Sequence, residues 1–317
     1  MGLLALVVAA TSTSAAADSA GAARPPGCEL PAGSLTAKDL PPGASVLDCD
    51  AVGRVLRVDG AGVVIPEPGI AVGTEALSDD GTATALQVQV TEDGTISYPK
   101  VQTVDEAPRR STALAAPAGA CSDAAYTTND LKEYGVYNWY IGDGPMPAGL
   151  SRRNARIAFS DAIDNITGSF NDCGYDDRVE ARARYRGATG NEANISTTGV
   201  CTWRDRKSTW DAGNLAGGTV AQACWWSLPS PGVKNDLIEA DVRYNRTDFN
   251  FTNNPGSRCA NRYDVRSVGT HEAGHIFGMG HVGLGHRNLT MYVQSLTCTT
   301  RARTLGRGDV RGLRSLY

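Results

Sequence analysis

The sequence predicts an α+β protein in which a small β-rich leader precedes a larger body of strands and three helices. Three observations carry this reading. Alternating apolar stretches bounded by turn residues fill the chain before residue 120, and apolar residues recur at helical spacing in three places after it. Eight cysteines divide two and six across that boundary. The 317 residues are 41% hydrophobic and 20% charged, enough apolar material for a core, so disorder throughout is excluded. The one long apolar run, at the N-terminus, is too short to cross a bilayer, which argues against membrane insertion.

Taken in order, Leu3 to Ala10 form an apolar stretch leading into Ala15-Ala16-Ala17 and Asp18. That small-residue pattern predicts a signal peptide over residues 1–17 and a secreted, extracellular protein. In the leader and linker, residues 18–120, the segments Gly53–Asp59, Ala85–Thr91 and Thr95–Val101 read as short antiparallel strands. The Pro- and Ala-rich stretch 107–120 reads as an exposed linker, with proteolysis expected at Arg109-Arg110. In the body, residues 121–317, strands are expected over Tyr134–Ile141 and Ile238–Tyr244, the second turning Ile238, Ala240, Val242 and Tyr244 to one side. Ser151 is placed to cap a helix carrying Ala155, Ala158, Ala162 and Ile166 and ending at Gly168. A second helix is expected from near Ser267, and a third over the C-terminus, where Val310, Leu313 and Leu316 recur every three residues.

Charge and cysteines narrow the function. Residues 1–120 carry 7 basic and 14 acidic side chains and residues 121–317 carry 23 and 20, so an acidic leader precedes a mildly basic body. The basic excess is too small for nucleic-acid binding. No Cys-x-x-Cys pair occurs, which weakens redox, zinc-ribbon and iron–sulfur readings, and an even count predicts disulfides formed within each part.

All four histidines lie within sixteen residues, three of them in His271-Glu272-Ala273-Gly274-His275-Ile276-Phe277-Gly278-Met279-Gly280-His281. On a helix, residues four apart share a face, so His271 and His275 can aim ring nitrogens at one metal ion. Glu272 lies about 100° further round, beside the metal, where a carboxylate can take a proton from water. Gly278 can end the helix in the left-handed conformation and bring His281 back as a third ligand. Three neutral imidazoles leave a fourth position open, as in catalytic zinc sites. No glutamate follows His275, which excludes a Glu third ligand from a later helix.

This pattern resembles the zinc signature of the metzincin metalloproteases, in which a methionine turn follows; Met291 in Asn288-Leu289-Thr290-Met291-Tyr292 matches that methionine. Within the metzincins the chain is most similar to the matrixins. Tyr263 to Val268 entering the zinc helix, Glu239-Ala240-Asp241-Val242 and the segment Leu305 to Tyr317 carry that likeness across residues 125–317. The resemblance implies a catalytic domain with a twisted mixed five-stranded sheet over the zinc helix, an edge strand binding extended substrate, and a pro-segment in front. It implies one catalytic Zn2+, leaves room for Ca2+, and implies protein or peptide substrates for a monomeric enzyme. Val293 and Val282 replace the family's usual proline and serine, and the Pro-Arg-Cys-Gly latency motif is missing. Cys28 and Cys49 are expected to bridge each other instead of offering a zinc thiolate. His286 reads as a loop histidine, Trp225-Trp226 as core, and Asp309 as a cap of the last helix instead of part of an adhesion tripeptide.

The reading is a secreted zinc endopeptidase with Glu272 as general base, His271, His275 and His281 as ligands and Met291 as the floor. Two alternatives stand beside it: a zinc-containing binding or adhesion module without hydrolysis, and an enzyme cutting amides of cell-wall peptide. The leader is expected to assist folding or mask the site.

Overall fold

The computed structural model describes residues 28–82, 84–99 and 119–317. The expected signal peptide and the Arg109-Arg110 linker lie outside the described residues. The leader contributes β1 (Leu35–Thr36), β2 (Val55–Val58), β3 (Ala61–Val64), β4 (Ala71–Ser78), β5 (Thr84–Val90) and β6 (Ile96–Ser97). The body begins with β7 (Thr127–Thr128), β8 (Leu131–Lys132), β9 (Tyr137–Gly142), α1 (Arg152–Thr167) and β10 (Ala183–Thr189). It continues with β11 (Val200–Cys201), β12 (Ser208–Gly213), β13 (Thr219–Leu228), β14 (Asn235–Asn245) and β15 (Asn250–Thr252). The histidine-rich region follows as β16 (Arg262–Asp264), α2 (Val265–Ile276) and β17 (Met279–Gly280), with α3 (Arg307–Leu316) after it.

The class is mixed α+β with three α-helices among the described residues. The main sheet, however, has nine strands where five were expected. Its path is β10-β9-β12-β14-β13-β4-β5-β6, with β8 pairing β14. The five long strands of the body are β10 to β13 on that path, and the surplus has a simple cause. Strand β13 runs antiparallel to β14 and leaves an open edge of backbone N–H and C=O groups; β4 pairs with it antiparallel and brings β5 and β6 along. A second sheet, β1-β2-β3-β11, also joins leader to body, because β11 pairs parallel with β3.

Strand β4 is buried on both faces because it separates two cores. Val72 packs into the leader core with Leu56, Val88 and Trp226, while Leu77 packs into the body core with Trp225, Phe277 and Met291. The adjacent indoles of Trp225 and Trp226 therefore serve opposite cores, each 2% exposed.

Local patterning places the helices. Ser151 accepts the Asn154 N–H and Gly168 caps the C-terminus of α1, whose alanine and isoleucine stripe is fully buried. Helix α2 starts two residues earlier than expected because Asp264, and not a later residue, accepts the Ser267 N–H at 2.9 Å. Arg303 grips the same carboxylate with two nitrogens, at 2.6 and 2.7 Å, tying the C-terminal segment to the start of α2.

One expected side-chain direction fails. Ile238 is exposed while Ala240, Val242 and Tyr244 are buried, because Trp226 pairs with Glu239 and Ser227 with Leu237, a bulge that skips Ile238. The four disulfides, Cys28–Cys49, Cys121–Cys173, Cys201–Cys224 and Cys259–Cys298, fall within leader or body and leave neither leader cysteine as a thiol. They are compatible with an oxidising compartment. Among the described residues no helix is long and apolar enough to cross a membrane.

One close approach of leader to body is backbone against indole. A Cβ added at Gly73 would lie 2.3 Å from the Trp225 ring. Gly73→Ala is therefore expected to cost about 1–3 kcal/mol through overpacking. Chemical denaturation of the full chain checks it; an unchanged midpoint would show that the strand yields without cost.

Candidate metal centre

Helix α2 places His271 and His275 one turn apart on a single face, both buried. The helix stops at Phe277, and Gly278, at φ +88°, turns the chain back so that His281 arrives from the other side. A side chain at Gly278 would meet the Leu131 carbonyl oxygen at 2.2 Å, so only glycine fits this bend. The returning strand is clamped from the body's N-terminal end. Strand β7 pairs with β17, the Thr127 hydroxyl donates to the His281 carbonyl at 2.6 Å, and Asn129 donates to the Gly278 and Met279 carbonyls.

The result is a converging triad. Nε2 of His271 lies 2.9 Å from Nε2 of His281 and 3.1 Å from Nε2 of His275. Nδ1 of His271 donates to the Thr290 carbonyl at 2.8 Å, and Nδ1 of His275 donates to the Met279 carbonyl at 3.0 Å. A carbonyl only accepts, so both rings carry their proton on Nδ1 and turn a bare Nε2 lone pair inward. Burial pushes both rings below the ordinary histidine range, His275 to about 4, and keeps them neutral. Lone pairs packed this closely repel unless a cation sits between them. Tetrahedral zinc, with bonds of about 2.0–2.1 Å, would set the nitrogens about 3.4 Å apart. The buried three-histidine group could thus hold a metal ion, and imidazoles suit several transition metals.

Glu272 is fully buried and neither carboxylate oxygen has a hydrogen-bond partner. Burial, and after it the charge of Glu75, pushes its carboxyl well above the usual range. Met291 packs under α2: a Cβ on Gly274 would lie 2.3 Å from its sulfur. The structure thus brings the three histidines together on α2 and its return, with Glu272 on the same helix and Met291 on a later turn beneath it. His286 stands apart on a short 3-10 turn, its Nδ1 2.9 Å from the buried Asp123 carboxylate, as a tethered loop histidine.

Two residues escaped the sequence reading. Asp309 does cap α3 through the Gly306 N–H at 2.8 Å, but it also accepts the N–H groups of Thr290 (2.9 Å) and Met291 (3.2 Å). It therefore holds the turn whose carbonyl orients His271. The available signal was that Asp309 is the only acid after Glu272. The other is Glu75, on β4. Its Oε2 lies 2.9 Å from Nδ1 of His281 and 3.2 Å from Nδ1 of His275, without an aligned hydrogen bond. Nothing in the leader's sequence marked it.

Asp309→Ala is expected to weaken zinc binding about tenfold or more by loosening the support of a ligand, read by competition with a chromophoric chelator. Its ionisation predicts a second effect. Burial lifts the Asp309 carboxyl to about 6 despite three N–H donors that pull it down. The folded chain then holds a proton that the unfolded chain has released, so this group favours folding below about pH 4 and loses that effect as pH rises towards 6. In metal-free protein, the stability of the wild type relative to Asp309→Asn should fall across that window; a constant difference would contradict it. Compared with protein families and with curated proteins, the chain matches no family model and no individual protein.

Proposed function

We propose that this protein is a secreted zinc-dependent endopeptidase of metzincin type, nearest the matrixins in its motifs. The observation that carries the reading is the convergence of three imidazole Nε2 atoms beside a buried carboxylate with no partner of its own. A purely structural site has no use for such an acid, since isolating it from water costs several kcal/mol unless a proton-bearing partner reaches it.

His271, His275 and His281 would hold the ion, and Thr290 and Met279 fix two of the rings through their carbonyls. Zinc in such a site supplies Lewis acidity at an open position, which makes water acidic near neutral pH and polarises a carbonyl. Glu272 takes a proton from the attacking water and delivers it to the leaving amine. Met291, wedged beneath α2, carries no proton and keeps the floor rigid. With β4 removed, the exposed edge of β13 would offer backbone groups to an extended peptide, a general way of presenting a chain to such a site.

Glu272→Ala is the decisive variant. Hydrolysis of casein by the processed protein should fall by a factor on the order of 1,000 or more, the scale of an essential proton-transfer group, while zinc content stays near that of the wild type. Equal behaviour of variant and wild type would favour a binding module. Activity on peptidoglycan with none on casein would reassign the substrate to cell-wall amides.

A further inference from the structure

A small pocket abuts the histidine centre, with walls from three parts of the chain. His271 and Thr290 form the side towards the centre, Leu77 of β4 closes the leader's side, and Tyr292, Gln294 and Arg301 stand around the rest. With Leu77 in place the space left is about 20 Å3, room for roughly one water. The far wall is fixed before any ligand arrives. The Cys259–Cys298 disulfide, and the Cys298 N–H donating to the Arg262 carbonyl at 2.8 Å, hold the segment that leads to Arg301. Two residues further on, Arg303 grips Asp264 at the start of α2.

Arg301 is an unusual member of such a wall. The residue is half-buried, and its Nε atom is shielded from water and has no hydrogen-bond partner. Among the described residues no carboxylate pairs with its guanidinium, whereas Arg303 has Asp264 and Arg266 has Asp161. Burial, and after it the charge of Arg287, pushes Arg301 below the usual arginine range, against a weaker pull from the Tyr292 phenol. A shielded cation without an acceptor is a cost that the fold itself does not offset. Among the described residues no acid lines the pocket, so nothing there repels an anion. The arginine fork suits a planar carboxylate above other groups, because two parallel N–H donors meet its two oxygens.

We propose that Arg301 sets the specificity of the centre, so that the pocket beside His271 takes an acidic side chain of glutamate size from the peptide that is cut. This deepens the peptidase reading and rests on it. In the processed protein the pocket opens where Leu77 now stands, and an entering carboxylate supplies the acceptors that the guanidinium lacks. A leucine side chain fills the volume but leaves Arg301 unpaired, and a lysine sets a second cation against it. Discrimination then comes from the charge left unpaired in the wrong complex, which separates near-isosteres far better than shape does.

The pocket's chemistry is read first in the full zinc-loaded chain, without catalysis. Leu77→Glu, Leu77→Gln and Leu77→Lys are compared by urea denaturation near neutral pH, alone and combined with Arg301→Glu. The Leu77→Glu midpoint should lie above that of the isosteric Leu77→Gln, with Leu77→Lys lowest, and Arg301→Glu should reverse the order of the glutamate and lysine variants. A pocket without a cation to offer would rank Leu77→Gln above Leu77→Glu; that ranking, or one that Arg301→Glu leaves unchanged, overturns the proposal. Where a combined variant fails to fold, Arg301→Gln takes its place and should abolish the advantage of Leu77→Glu over Leu77→Gln. Cleavage is read next, on the processed protein, with internally quenched peptides that differ at one residue. The glutamate peptide should be cut with a kcat/KM about tenfold or more above its glutamine and leucine counterparts, and Arg301→Gln should remove that ratio. Equal rates on the three peptides, with casein still cut, sink this proposal alone. No cleavage of casein or of any peptide sinks the peptidase reading, and the midpoints then still decide whether Arg301 receives an acid.

Discussion

Three imidazole rings turned onto one point, with Nε2 of His271 at 2.9 Å from that of His281 and 3.1 Å from that of His275, are the constraint on which the rest of the body depends. Two of the rings and the backbone of the third are held from outside the triad. The carbonyl of Met279 holds His275 and that of Thr290 holds His271, while Thr127 fixes the backbone of His281. Each of these anchors belongs to a different part of the chain. Gly278 must bend so that the Met279 carbonyl can reach back to the helix, and the turn at Met291 must be rigid for Thr290 to do the same. Rigidity at that turn comes from Asp309, in the last helix. The C-terminal helix therefore contributes to a centre it never touches, through two backbone N–H groups.

What could be read from sequence was what is local. Caps at Ser151 and Gly168, the alanine stripe of α1 and the four-residue spacing of His271 and His275 each act within a few residues, and each stands as expected. Pairing between distant strands follows a different rule. Alternation marks Ala85–Thr91 as extended but carries no information about which edge it meets, and Ala71–Ser78 was not marked as a strand at all. The nine-stranded sheet was therefore hidden, as was the role of Glu75, which in the linear chain resembles any solvated acid. Ile238 shows the same limit at small scale: the two-residue period holds up to the bulge and fails across it. Asp309 was half legible, since its capping bond is local and its bonds to the Met291 turn are not.

The continuous sheet gives the leader two physical tasks that are one interaction. An open antiparallel edge such as β13 invites pairing with any extended chain, including another copy of the protein. Strand β4 satisfies those backbone groups and buries the apolar rim beside them, Trp225 above all, within the body core. Strand β4 is buried on both faces, one side carrying the leader's own core and the other turning Glu75 and Leu77 towards the body. The close contact between Gly73 and the Trp225 ring fixes the strand's height over the sheet edge, and with it the depth to which Glu75 reaches. The register of a single strand therefore links the stability of the leader to the state of the histidine centre, since a shift by one residue would turn both Glu75 and Leu77 away from it.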